Sequence, residues 1–179
     1  MKSKNKQYLL SKLRDIPDFP KPGIIFKDIT PLLSDPKAFT IILNALVDRY
    51  KDKNIDFIAG IESRGFIFGV PLAHRLNIGF IPIRKVGKLP ASTYKQAYGL
   101  EYGASEVEIH TDAFDEYENA NVVLCDDLIA TGGSANASLS LIKRAGGNTV
   151  ESCFIINLDF LNGVKDLTNQ NVFTLLDIK

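Results

Sequence analysis

Val122-Val123-Leu124-Cys125-Asp126-Asp127-Leu128-Ile129-Ala130-Thr131-Gly132-Gly133-Ser134 is the stretch that decides the fold. Residues 121–125 form a short apolar, β-branched run and read as a buried strand. The strand delivers two carboxylates to its C-terminal end. A turn of Thr131, Gly132, Gly133 and Ser134 then opens a helix that runs to about Ala145, where Gly146-Gly147 stops it. The glycines let main-chain N–H groups approach an anion, and the helix N-terminus adds partial positive charge. Thr131 and Ser134 add hydroxyl donors. The segment is not a P-loop of the G-x-x-x-x-G-K-[ST] type, because no Lys follows the glycines. Two adjacent carboxylates would repel a bound phosphate unless they served another purpose. A ribose cis-diol supplies one, since ionised carboxylates only accept and hydroxyls donate. A plainer reading stays open from these residues alone: Asp126 and Asp127 cap the turn, and Thr-Gly-Gly-Ser merely starts a helix. The pairing of the aspartates favours binding.

Working outward, strands and helices alternate. Residues 57–61 read as a buried strand, the polar turn Glu62-Ser63-Arg64-Gly65 follows, and a helix covers residues 66–76. Residues 78–83 are another strand, and residues 150–158 and 172–176 are late strands. Upstream, Ser34 is expected to cap a helix starting at Asp35-Pro36. In it Phe39, Ile42, Leu43, Leu46, Val47 and Tyr50 recur at helical spacing on one face. Residues 4–14 form a short helix, and three prolines within residues 17–22 fix an extended path after it. Residues 84–103 are rich in Lys, Gly and Tyr and show no core pattern, whereas Glu106, Val107, Glu108, Ile109 and His110 alternate as an exposed strand would. Tyr94, Tyr98 and Tyr102 fall four apart, but Pro90, Gly99 and Gly103 oppose a helix. This order predicts an α/β fold with a central, mainly parallel sheet flanked by helices. Ligands bind beyond the carboxyl ends of such strands. The polar turns at residues 62–65, from residue 84 onward, and at residues 126–133 converge there.

The chain has 179 residues, 45% of them hydrophobic and 23% charged, which suits one domain, residues 1–179. Twenty-one basic residues balance 21 acidic ones, so no overall field exists to hold nucleic acid. Any anion site is therefore local. Cys125 and Cys153 sit in apolar runs and read as buried thiols; two cysteines leave a disulfide open but make no disulfide framework. His74 and His110 have no partner pattern, and no Cys/His spacing suggests zinc. No apolar stretch approaches the roughly 18 residues that span a membrane. A cytoplasmic protein with no membrane or nucleic-acid partner is the expectation.

The run of two acidic residues, an apolar pair and Ala130-Thr131-Gly132-Gly133-Ser134 resembles the phosphoribosyl diphosphate signature of the type I phosphoribosyltransferases. Four further blocks are similar to the adenine-specific members: residues 16–33, residues 60–66, Arg84-Lys85-Val86-Gly87-Lys88-Leu89-Pro90, and Leu100-Glu101-Tyr102-Gly103. The resemblance implies the type I fold with a small N-terminal hood (about residues 1–33) and a mobile lid (about residues 84–110). It implies transfer of ribose phosphate from phosphoribosyl diphosphate to adenine, giving AMP and diphosphate, in purine salvage. By the same resemblance, Ala130, Thr131, Gly132, Gly133 and Ser134 hold the 5′-phosphate and Asp126 and Asp127 the ribose hydroxyls. Glu62, Ser63, Arg64, Arg84, Lys85 and Lys88 serve the diphosphate, and Ile25, Phe26 and Lys27 the adenine. Glu101 is the acid–base group and Tyr102 a lid residue near the substrates. Ala130 stands where 6-oxopurine enzymes carry an acid, which is why the proton chemistry falls to Glu101. On residues alone, Glu101, Lys85 and Lys88 could as well be solvated charges, and Phe26 an ordinary core residue. Mg²⁺ is expected, bound mainly through the substrate diphosphate and ribose, with no direct protein ligand. A homodimer is implied too, with Arg84 the candidate to reach across its interface.

Overall fold

A computed structural model of the chain describes residues 1–100 and 103–179, which divide into two units, Met1–Arg49 and Tyr50–Lys179. In the first unit, α1 (Ser3–Leu10) is shorter than its predicted span. It ends early because β1 (Arg14–Pro17) begins at Arg14 and pairs antiparallel with β2 (Ile25–Asp28). Pro17 closes β1, while Pro20 and Pro22 fall in the connection, where no ladder N–H is needed. The connection is tied by the Gly23 N–H donating to Asp18 Oδ1 at 2.7 Å. Phe19 packs edge-on to Phe26, with centroids 5.2 Å apart.

A short α2 (Thr30–Leu33) leads to α3 (Pro36–Tyr50). The cap of α3 is Asp35 and not Ser34, as the sequence suggested. Since the helix begins at Pro36, Asp35 holds the capping position, and its Oδ1 accepts the Lys37 and Ala38 N–H groups at 2.9 and 3.0 Å. Ser34 Oγ donates to the Pro31 carbonyl instead. Asp35 also accepts the Tyr8 hydroxyl at 2.7 Å and pairs with Lys12 at 2.8 Å.

The second unit is a seven-stranded sheet. Its parallel part comprises β3 (Phe57–Ile61), β4 (Gly79–Lys85), β7 (Asn121–Ile129), β8 (Asn148–Leu158) and β9 (Val172–Ile178). β5 (Thr93–Leu100) and β6 (Gly103–His110) form an antiparallel hairpin, and β6 joins the edge at β4. The order is β5-β6-β4-β3-β7-β8-β9. The helices α4 (Arg64–Leu76) and α5 (Gly133–Arg144) cover opposite faces. Gly69 of α4 lies over Ile58, while the alternate residues Ala59 and Ile61 share a core with Leu141 and Ile142 of α5. Gly146, at φ +94°, ends α5, and the Gly147 N–H returns to the Ile142 carbonyl at 2.9 Å.

Residues 84–103 depart from the irregular segment expected of them. Arg84 and Lys85 complete β4, and Thr93–Leu100 form β5. Tyrosines four apart share one face of a strand as well as of a helix. Tyr94 and Tyr98 accordingly pack on the α5-side core. The Arg144 guanidinium sits over the Tyr94 ring at 4.8 Å and donates to the Lys95 carbonyl at 2.9 Å. Glu101 and Tyr102 lie outside the described residues.

Candidate active site

β7 runs on through Asp126 and Asp127 to Ile129, so the aspartates sit inside the strand and not beyond its end. A cavity of about 230 Å³ opens at the end of β7, lined by Arg64, Asp126, Asp127, residues 128–135, Phe154, Tyr98 and Gly99. The structure thus brings together Asp126, Asp127, Arg64, Ala130, Thr131, Gly132, Gly133 and Ser134, as the sequence predicted. The N-cap of α5 is Gly132, which has no side chain to cap with, and the first-turn residues Gly133, Ser134 and Ala135 line the cavity, where helix N-terminal amides favour an anion.

Close approaches shape this loop. Gly132 has φ +80°, a region that costs any residue with a Cβ. Gly163, the first residue of α6 (Gly163–Asp166), lies behind the loop. A Cβ there would stand 2.1 Å from the Ala130 carbonyl oxygen and 2.9 Å from the Gly132 nitrogen. On the other side, the Gly99 carbonyl and the Tyr98 ring border Gly133. Gly65 lets the start of α4 reach β7, since a Cβ on it would meet the Cys125 carbonyl at 2.6 Å. That approach places Arg64 Nε 3.0 Å from Asp127 Oδ2, an ion pair without the alignment of a hydrogen bond.

The aspartates are electrostatically loaded. Burial and the charge of Asp127 push the Asp126 carboxyl up. Burial also pushes Asp127 up, and Arg64 pulls part of that shift back. The Asp127 N–H donates to Asp126 Oδ1 at 2.9 Å.

Glu62, Arg84, Lys85 and Lys88 form a neighbouring network outside the cavity lining. Glu62 Oε2 accepts from Arg84 Nε at 3.2 Å and from the Lys85 N–H at 2.9 Å. Burial alone would raise Glu62, but the Lys85 N–H and Arg84 hold it below the usual carboxylate range. Arg84 also donates to the Lys88 carbonyl at 3.0 Å. Ser63 is exposed just before α4. Ile25, Phe26 and Lys27 belong to the first unit, where Ile25 is 56% exposed and Lys27 Nζ pairs with Asp15 at 2.7 Å. Gly163 carried no expectation from the sequence, and Tyr98 and Glu108 were expected only as members of a spacing and of an exposed strand, not at the site. The Asn162-Gly163 turn signal was legible for the first of these.

An α/β sheet that presents paired carboxylates and an uncapped glycine loop at one strand end defines a binder of phosphorylated sugars. A family model of the phosphoribosyl transferase domain matches residues 29–173. The adenine phosphoribosyltransferase of Wolinella succinogenes is 59% identical over 97% of this chain and 96% of its own. The crystal structure of the Thermoanaerobacter pseudethanolicus adenine phosphoribosyltransferase superposes with a TM-score of 0.91 at 46% identity, covering 96% of this chain and 99% of that one. The Saccharomyces cerevisiae enzyme, solved with adenine and an imino-altritol bisphosphate, gives 0.90 at 41% identity over 98% of this chain and 100% of its own. The chain belongs to the adenine phosphoribosyltransferase family.

Proposed function

We propose that the cavity at the end of β7 binds the ribose 5-phosphate portion of phosphoribosyl diphosphate. The chain transfers that group to adenine, releasing diphosphate and forming AMP, as a pentosyltransferase of purine salvage. One observation carries the assignment: Asp126, Asp127 and the amides of residues 130–134 line a single cavity. The amides and the Thr131 and Ser134 hydroxyls donate to the 5′-phosphate, and the aspartates accept from the ribose hydroxyls. As the C1–diphosphate bond breaks, charge grows on the leaving oxygens. Arg64, Lys85 and Lys88, with Glu62, Ser63 and Arg84 behind them, stabilise it. The ribosyl centre then resembles an oxocarbenium ion, which water must not reach. Adenine is held by the Ile25, Phe26 and Lys27 segment, and Glu101 manages the proton of the base, with Tyr102 closing nearby.

The site suits Mg²⁺ carried by the substrate. An Mg²⁺ ion keeps several waters and would take its remaining oxygens from the diphosphate and the ribose hydroxyls. When bound, it neutralises diphosphate charge. We also read the enzyme as a homodimer, a reading supported by the exposed Ile67 and Val70 on α4. The free, buried Cys125 and Cys153 favour the reducing cytoplasm. Among the described residues no helix is long and apolar enough to cross a membrane.

The test is a panel of bases with phosphoribosyl diphosphate and Mg²⁺, followed by chromatography. Adenine should be consumed and AMP formed; turnover of another base in its place would overturn the reading. Glu101→Gln should slow kcat by roughly 10²–10⁴-fold, and a near-normal kcat would remove Glu101 from the proton transfer.

A further inference from the structure

Glu108 sits in the middle of β6, where the charged alternation of residues 106–110 suggested a solvent-facing strand. It is 2% exposed. A carboxylate stripped of water needs donors, and among the described residues they come from the segment after β4 and from Thr93, the first residue of β5. Oε1 accepts the Lys88 and Leu89 N–H groups, both at 3.0 Å, and Oε2 accepts the Thr93 hydroxyl at 3.0 Å. Burial alone would raise its pKa. The Leu89 N–H, the Thr93 hydroxyl and the Lys88 and Gly87 N–H groups outweigh that and hold it low. Glu108 is therefore an ionised acceptor at neutral pH, with its charge spent on the loop.

That segment carries Lys85 and Lys88, both exposed. Its first end is fixed by Glu62 on the Lys85 N–H, and Arg84 bridges Glu62 to the Lys88 carbonyl. The second end has Glu108. The geometry points to Glu108 as the positioning residue of the diphosphate loop: it fixes the Lys88–Leu89 backbone so that the two lysines are aimed before the diphosphate arrives. This inference rests on the reading of Lys85 and Lys88 as diphosphate donors. The physical gain is pre-organisation. A loop already ordered loses less conformational entropy on binding, and a flexible lysine stem gains most from a fixed root.

The test uses the full chain, calorimetric titration with magnesium diphosphate and separately with AMP, and thermal melting. AMP carries no diphosphate and serves as the internal control. Glu108→Ala should weaken diphosphate binding roughly tenfold to a hundredfold while AMP affinity stays within about twofold. Glu108→Gln should recover to within about threefold, because its carbonyl can still accept both N–H groups. Glu108→Asp keeps the charge but withdraws the acceptor by about 1.5 Å, and should lose affinity nonetheless. If Glu108→Ala does not fold, Thr93→Val removes one donor only and should weaken diphosphate roughly two- to fivefold. Equal losses for AMP and diphosphate would reduce Glu108 to a general structural role and overturn the inference. So would unchanged diphosphate affinity in the Glu108 variants while Lys85→Ala/Lys88→Ala loses it, a result that leaves the lysine reading intact. Unchanged diphosphate affinity in the double lysine variant removes that reading, and the inference falls with it.

Discussion

The loop after β7 and the loop after β4 flank the same central strand, β3, yet they are held in different ways. Around the first, the polypeptide is confined by contact: Gly132 is left-handed, and Gly163 presses its backbone against Ala130 and Gly132. Around the second, carboxylates do the holding, with the half-buried Glu62 gripping the Lys85 N–H and the buried Glu108 the Lys88 and Leu89 N–H groups. The two pairs of acids are also shifted in opposite directions. Asp126 and Asp127 are raised by burial, and Asp126 further by its neighbour's charge. Glu62 and Glu108 lie low because their donors outweigh burial. An acid that waits for a ligand's hydroxyls is costly while it waits, whereas an acid already satisfied by the chain stabilises the fold.

The largest effect should come from breaking the contact-built loop from behind. Gly163→Ala puts a methyl where the Ala130 carbonyl oxygen would be 2.1 Å away, and backbone lies on both sides of that contact. Overpacking of this kind costs about 1–3 kcal/mol of stability. The displaced amides should lower kcat/KM for phosphoribosyl diphosphate by roughly a hundredfold or more, since a misplacement of about 1 Å can do that. Steady-state kinetics below the melting transition, with AMP calorimetry alongside, measure both. Normal affinity in a folded Gly163→Ala protein would mean that the loop yields freely, and the contrast between the regions would dissolve.

That first region was the legible one. A strand, two acids and Thr-Gly-Gly-Ser carry their chemistry within thirteen consecutive residues, so local pattern suffices to read it. Glu108 was hidden for the opposite reason. Its partners Lys88, Leu89 and Thr93 lie 20, 19 and 15 residues away, and strand alternation gave its side chain to solvent. The Tyr94–Tyr98 spacing was visible, but spacing by four fits a strand as well as a helix, and only the pairing of β5 with β6 decides between them. Asp35 displaced Ser34 as the helix cap by a single residue of register, which propensity cannot resolve because both are good caps.

A smaller effect should separate the two acid pairs by the sign of their stability. Asp126→Asn keeps an oxygen for the Asp127 N–H but removes a half-buried carboxylate beside another. Phosphoribosyl diphosphate affinity should drop roughly tenfold, while the melting temperature at pH 7 rises. Scanning calorimetry and ligand titration on the same sample check the pair of outcomes. A lower melting temperature would show that Asp126 already has its charge well satisfied by the chain.

The smallest effects lie in the pH dependence of those differences, which runs opposite ways for the two pairs. The folded pKa of Asp126 is raised. The stabilisation conferred by Asp126→Asn should therefore be absent below the unfolded value of about 3.9 and grow as pH rises through the folded value. The folded pKa of Glu62 is depressed. Its contribution is full above the unfolded value of about 4.3 and is lost as pH falls through the lower folded value. Glu62→Gln should thus melt below wild type at pH 6, with the gap closing only in acid. Melting curves of both variants against wild type, from pH 7 downward, should diverge in opposite directions as pH rises. If the two differences track each other, a carboxylate's partner, ligand or chain, does not govern its cost here, and the difference between the loops is one of shape alone.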